Sequence, residues 1–267
     1  VPRKKIYGGA AGVDERGPTR VLILASDVDS CFCAGADLKE RAGFSADEYV
    51  IPSFPILINR EEAWRGIVLI FIGANRTAAF LANLRNTFTA LSMLPIPTIS
   101  AVSSLALGGG LELALCTHMR VFASTAQVGL PETRLGIIPG AGGTYRLPAL
   151  IGLGRARDLI LTGRRVSAAE AYFLGIADRL VEVIEEDGEG KEGLMKRAKE
   201  EALKQAVRLA GEICEGAPTA IRSALQAVGY AREEVENRMY ERVVGTEDRN
   251  EALVAFREKR RPVFKGR

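Results

Sequence analysis

Leu105-Ala106-Leu107-Gly108-Gly109-Gly110-Leu111-Glu112-Leu113-Ala114-Leu115 is the stretch from which the rest of the chain can be read. Three glycines lead into an acidic residue set inside an apolar run. Glycine carries no Cβ, so a ligand can come close to the backbone there. The first turn of a helix leaves N–H groups without internal partners. With the helix dipole behind them, those donors suit a developing negative charge. A carboxylate one turn further on, Glu112, can move protons beside that charge. Further along, Gly129-Leu130-Pro131-Glu132 sets a second carboxylate in a loop-like stretch after a short strand. Two carboxylates with backbone donors point to proton transfer next to a carbonyl.

The flanking sequence alternates strand and helix patterns. Residues 21–24 (VLIL) read as a buried parallel strand, 27–30 as a turn, and 33–40 as a loop feeding a helix. Over 77–93, Phe80, Leu84, Phe88 and Leu91 recur at helical spacing until Pro95 and Pro97 end the pattern. Thr98–Val102 reads as a second buried strand, 111–116 as a helix, and Met119–Ala123 and Gln127–Gly129 as short strands. Gly140-Ala141-Gly142-Gly143 then opens a further helix. This order predicts an α/β core with parallel strands over 1–186.

Beyond it the character changes. Residues 187–193 read as a charged linker, and Leu203, Val207, Ala210 and Cys214 mark an amphipathic helix. Gly216-Ala217-Pro218 restarts the chain, and 232–259 reads as one charged helix, so 187–267 is expected to be a helical C-terminal region. Residues 50–76, with two prolines and Trp64, fit neither pattern and read as an insertion. It is either a lid extension or a translated non-coding segment; long structureless connections are uncommon in compact domains.

Composition narrows the function classes. The chain has 267 residues with 36 basic and 33 acidic side chains, so its bulk charge gives no reason to expect nucleic-acid binding. Four cysteines in this length do not make a disulfide framework. The single histidine, His118, cannot supply a zinc site, and Cys31 and Cys33 read as small buried apolar residues, so no metal is expected. The apolar run 66–73 (GIVLIFIG) is too short to span a bilayer. The glycines at 140–143 lack the Gly-Lys-Ser/Thr ending of a phosphate loop. Ser103 and Ser104 lack a nucleophile-elbow pattern that would make them partners of His118, which is read as structural.

Five segments carry a family resemblance: FCAGADLKE at 32–40, PIPTISAV at 95–102, LALGGGLELAL at 105–115, VGLPETRLGIIPGAGGTYRLPALIG at 128–152 and AFREKRRPVFKG at 255–266. In that order and spacing they resemble the enoyl-CoA hydratase/isomerase (crotonase) family over 19–49 and 77–267, and most of all its methylglutaconyl-CoA hydratase branch. The resemblance implies a spiral of ββα turns and a C-terminal helical region that builds trimers, often paired into hexamers. It also implies N-terminal strands and a first helix ahead of residue 21, which are expected to be missing from this sequence.

The same resemblance assigns roles. The backbone N–H groups of Ala36 and Gly109 form an oxyanion hole for the thioester oxygen. Glu112 and Glu132 are the acid/base pair, with Gly140 holding the attacking water through its backbone. CoA is expected along Ala34, Ala36, Asp37, Leu38 and Lys39, with Lys259 and Lys265 near its phosphates. Isomerases of the family typically keep a carboxylate at only one of the two acidic sites, so the pair favours a hydratase.

The expected activity is hydration of an enoyl-CoA, best methylglutaconyl-CoA in leucine degradation in the mitochondrial matrix. Two alternatives stand beside it: a short-chain enoyl-CoA hydratase of fatty-acid β-oxidation, and a catalytically impaired partial member acting as a subunit. No cofactor is expected, because CoA is part of the substrate. No membrane partner is expected. The lysine-rich helix that contacts RNA in one relative is absent here, so RNA binding is not expected.

Overall fold

The computed structural model describes residues 19–34, 77–186, 188 and 190–267. The loop-to-helix expectation over 35–40, the insertion at 50–76 and the side chain of Phe80 lie outside the described residues. The strands are β1 (Leu22–Ala25), β2 (Cys31–Cys33), β3 (Thr98–Val102), β4 (Leu105–Leu107), β5 (Met119–Ala123), β6 (Gln127–Gly129), β7 (Arg165–Ser167) and β8 (Arg179–Val181). The helices are α1 (Thr77–Ser92), α2 (Gly109–Ala114), α3 (Gly143–Ile151), α4 (Leu153–Thr162), α5 (Ala168–Leu174), α6 (Gly190–Cys214), α7 (Pro218–Tyr230), α8 (Glu233–Val244) and α9 (Glu247–Glu258). A 3₁₀ turn covers Pro131–Leu135.

The strands form two four-stranded sheets, ordered β1-β3-β5-β8 and β2-β4-β6-β7. The expected parallel pairing holds for β2 with β4, β4 with β6, and β5 with β8; β6 and β7 run antiparallel. β3 is buried at all five positions, as expected. Its buried Ser100 Oγ lies 3.0 Å from Thr117 Oγ1, which removes the cost of burying that hydroxyl unpaired. β1 departs from expectation: its residues are only half-buried or exposed, and among the described strands it ends the order of its sheet.

By internal contacts the chain falls into two units. One comprises the described residues of Ala25–Met93 and Ser100–Leu203. Its core joins Val102, Leu111, Phe122, Val128, Leu130, Leu147, Leu159 and Ile176, so both glycine-rich segments end in residues that this core buries. On α1, Leu84, Phe88 and Leu91 are buried as their spacing predicts. Arg120, 4% exposed, is held by Asp178: Nη2 lies 2.8 Å from Oδ2, and the Arg120 backbone N–H donates to the same oxygen at 2.7 Å. Its other guanidinium nitrogens donate to the carbonyls of Ile176 and Thr117, so the buried charge is surrounded by acceptors.

The other unit holds the described residues up to Leu24 with Leu94–Ile99 and Lys204–Arg267. Pro218 opens α7 at a position where its missing N–H costs nothing. The single helix expected over 232–259 is two helices. Gly245 ends α8, and Thr246 starts α9 by accepting the Arg249 N–H at 3.1 Å. The chain then folds back: buried Asp248 accepts the N–H groups of Lys265 at 2.7 Å and Gly266 at 2.8 Å.

α6 corrects two further readings. It begins at Gly190, inside the expected linker. Its buried stripe is Ala198, Ala202, Ala206 and Leu209, whereas Val207 is exposed and Leu203, Ala210 and Cys214 are half-buried. Alanines recurring every fourth residue let a helix approach its neighbours closely, and a hydrophobicity pattern weighted to large residues misses them.

Candidate active site

The site follows from strand register. β4 and β6 run parallel with Leu107 opposite Gly129. β2 runs parallel to β4 on its other side, with Cys33 opposite Ala106. Three strands therefore end at one edge, the place where open parallel sheets bind ligands. After β4 comes Gly108; after β6 comes the 3₁₀ turn; after β2 comes Ala34, exposed to solvent. The Gly108 N–H donates to the Gly129 carbonyl at 2.9 Å and ties the first two ends together.

Gly108 is a position only glycine fills easily. Its φ is 53°, and a Cβ there would stand 2.9 Å from Glu132 Oε1. α2 begins at the next residue. Gly109 is half-buried between two buried glycines, so the N–H at the start of α2 belongs to the one residue of the run that reaches solvent. Gly110 lies against β2: a Cβ on it would meet the Cys33 carbonyl oxygen at 1.9 Å. The helix is thus seated directly on the strand that leads into Ala34.

Glu112, 2% exposed, sits one turn into α2, with its N–H on the Gly108 carbonyl at 3.0 Å. Its Oε1 accepts two backbone N–H bonds, from Ala141 and from Gly143, each at 2.8 Å. Two donors on one carboxylate oxygen stabilise negative charge where water is scarce and fix the orientation of the group. The loop that supplies them is itself tied down. Arg85 Nε on α1 donates to the Gly140 carbonyl at 2.6 Å, and Arg146 Nη1 on α3 donates to the Ala141 carbonyl at 2.9 Å.

Glu132 is 8% exposed and stands in the first turn of the 3₁₀ segment, with Pro131 before it and left-handed Gly136 closing the segment. Glu132 thus touches the first residue of the turn from Gly108 to Glu112, and Glu112 is its last. Cys116, one turn beyond Glu112, donates its thiol to the Glu112 carbonyl oxygen at 3.0 Å. Burial pushes that thiol up to about 12, which keeps it protonated and out of the chemistry.

The remaining expectations fare differently. Ala36, Asp37, Leu38 and Lys39 lie outside the described residues. Lys259 and Lys265 belong to the unit containing α9 and have exposed side chains; Lys259 caps that helix in the left-handed conformation. Cys31 and Cys33 are half-buried rather than buried, on the strand that ends the order of its sheet among the described residues. Burial, then the neighbouring Cys33, raises the Cys31 thiol. Burial, and secondarily Arg120, holds the His118 imidazole below its usual value.

Among the described residues no three His, Cys, Asp or Glu side chains gather as metal ligands, and no helix is long and apolar enough to cross a membrane. The donors on Glu112 and the two arginines behind them were missed in the sequence. Gly140-Ala141-Gly142-Gly143 signals a loop whose N–H groups are accessible, but not which oxygen they meet.

The family model for enoyl-CoA hydratase/isomerase matches residues 72–267. The chain is 62% identical over 270 residues to methylglutaconyl-CoA hydratase 1, mitochondrial, of Pyricularia oryzae, covering 98% of this chain and 69% of that protein. It is 37% identical over 254 residues to the mouse methylglutaconyl-CoA hydratase, mitochondrial, covering 92% of this chain and 68% of that one. Among solved structures it resembles an enoyl-CoA hydratase from Bacillus anthracis, with TM-score 0.71 and 38% identity over 95% of this chain and 84% of that chain.

Proposed function

Because the chain belongs to the enoyl-CoA hydratase/isomerase family, we propose that it is a hydro-lyase that adds water across the 2,3-double bond of methylglutaconyl-CoA. The observation that carries the reading is two buried glutamates at the two ends of one glycine turn, at the shared end of three parallel strands. The substrate assignment rests on the named activity of the relative at 62% identity.

In the reaction Glu112 takes a proton from water while the water oxygen bonds to C3. The electron pair of the double bond moves onto the thioester carbonyl, and the enolate oxygen is held by the N–H groups of Gly109 and Ala36. Glu132 then delivers its proton to C2 and the carbonyl re-forms. The two carboxyls exchange roles over one turnover, so a proton must return from Glu112 to Glu132 through solvent before the next. A donor aimed at the enolate oxygen lowers the barrier by about 3 kcal/mol in comparable sites. Each proton-transfer group contributes about 10²–10⁴-fold.

Location in mitochondria is supported by the names of two relatives. Assembly into trimers or hexamers is supported by large apolar side chains left exposed on helices, among them Leu161, Phe173 and Phe256. The test is a hydration assay on methylglutaconyl-CoA beside crotonyl-CoA. Glu112→Gln and Glu132→Gln are each expected to lose most turnover. Wild-type turnover in either variant would end the two-carboxylate mechanism, and a preference for crotonyl-CoA would move the assignment to a short-chain hydratase.

A further inference from the structure

The loop that holds Glu112 is bonded on both of its sides. On the inner side the Ala141 N–H donates to Glu112 Oε1 at 2.8 Å. On the outer side the Gly140 carbonyl accepts Arg85 Nε at 2.6 Å. These are the two ends of one peptide group. A trans peptide is planar, with its C=O and N–H pointing in opposite directions. The guanidinium, the peptide and the carboxylate therefore form one continuous chain of hydrogen bonds with a cation at one end. We propose that Arg85 is a positioning residue for Glu112, acting through the peptide group that joins Gly140 to Ala141; this rests on the acid/base reading of Glu112.

Two physical effects follow from that arrangement. The bond to Arg85 fixes the plane of the peptide and so the direction of the Ala141 N–H. A cation on the carbonyl polarises the peptide and strengthens the donor at its other end. Arg85 is exposed, yet its backbone is anchored, because Leu84 and Phe88 on the same helix are buried. Arginine suits the task better than lysine, since its Nε–H projects from a rigid planar group.

Other charged and titratable groups stand around Glu112. Cys116, one turn beyond Glu112, bonds to its carbonyl and also feels Arg146 on α3. The Cys116 thiol stays protonated across the neutral range. A change on removing Arg85 is then assigned to the chain of bonds it ends.

The test uses the full-length protein with crotonyl-CoA as the probe, in Arg85→Ala and Arg85→Lys. In Arg85→Ala, kcat is expected to fall about five- to ten-fold with KM little changed, the size of effect expected for a group acting one step removed. The acid limb of the kcat profile moves to higher pH, because a less stabilised carboxylate takes up its proton sooner. Arg85→Lys recovers part of the loss.

A second readout is independent of turnover: with ¹⁵N-alanine labelling, the Ala141 amide proton moves upfield in Arg85→Ala as its hydrogen bond weakens. Wild-type kcat together with an unmoved Ala141 resonance overturns the proposal. A fall in kcat matched by a lower Tm, with the resonance unmoved, overturns it too, since that is a structural effect alone. If Glu112→Gln retains turnover while the Ala141 resonance responds to Arg85, the acid/base reading has failed and the bonding chain has not.

Discussion

Gly110→Ala isolates the seating of α2 on β2. The added Cβ would lie 1.9 Å from the Cys33 carbonyl oxygen, 2.6 Å from its carbon and 2.9 Å from the Cys33 Cβ. The two nearest atoms are backbone, so no side-chain rotation relieves the clash. Restoring contact distance moves α2 away from β2 by roughly 1 Å, and such overpacking costs about 3 kcal/mol or more in a buried site. For a chain of this size that lowers Tm by about 6–12 °C. The same shift carries Glu112 with it, and a misplacement of about 1 Å in a reacting group costs on the order of 10²-fold in rate. Differential scanning calorimetry and a hydration assay read the two effects. Gly211→Ala is the matched control: nothing lies within 4 Å of its added Cβ, in the interior of α6. There the substitution is expected to stabilise by about 0.5–1 kcal/mol. If Gly110→Ala melts with the wild type and keeps its kcat, the close approach of α2 to β2 is refuted.

Two further expectations concern buried groups. Asp178→Ala leaves the 5%-exposed guanidinium of Arg120 without its counter-charge, and is expected to cost about 3 kcal/mol in urea unfolding; a loss below about 1 kcal/mol would show the pair to be dispensable. The Cys116 thiol, pushed up to about 12 by burial, is protonated at neutral pH and becomes a thiolate only as pH approaches that value. Iodoacetamide at pH 8 should therefore leave it unmodified in the native protein, and its alkylation at the rate of an exposed cysteine, read by peptide mass spectrometry, would contradict this placement.

What could be read from the chain alone was whatever depends on neighbours in sequence. β3, β5 and β6 carry short apolar runs bounded by turn residues, and they stand where those runs are. Glu112 and Glu132 were singled out because glycine before a carboxylate has few purposes other than close approach. Three-residue strands such as β4, β7 and β8 repeat too few positions to declare a period, and they exist because a neighbouring strand completes their hydrogen bonds. The break between α8 and α9 lay inside a continuous charged pattern, where only the Thr246 cap and Gly245 mark it.

The sequence by itself therefore singled out the candidate acid/base residues and the family the chain belongs to. Tertiary structure decided what those groups touch. The register of β4 on β6 places two carboxylates twenty residues apart at one glycine turn. The folding of 139–143 over α2 turns two anonymous N–H groups into the donors on Glu112, and puts Arg85 behind one of them. The reason is physical: propensity and pattern act over a few residues, whereas hydrogen-bond partners across 29 or 55 positions are chosen only when the strands have packed and the loop between them has one place to go.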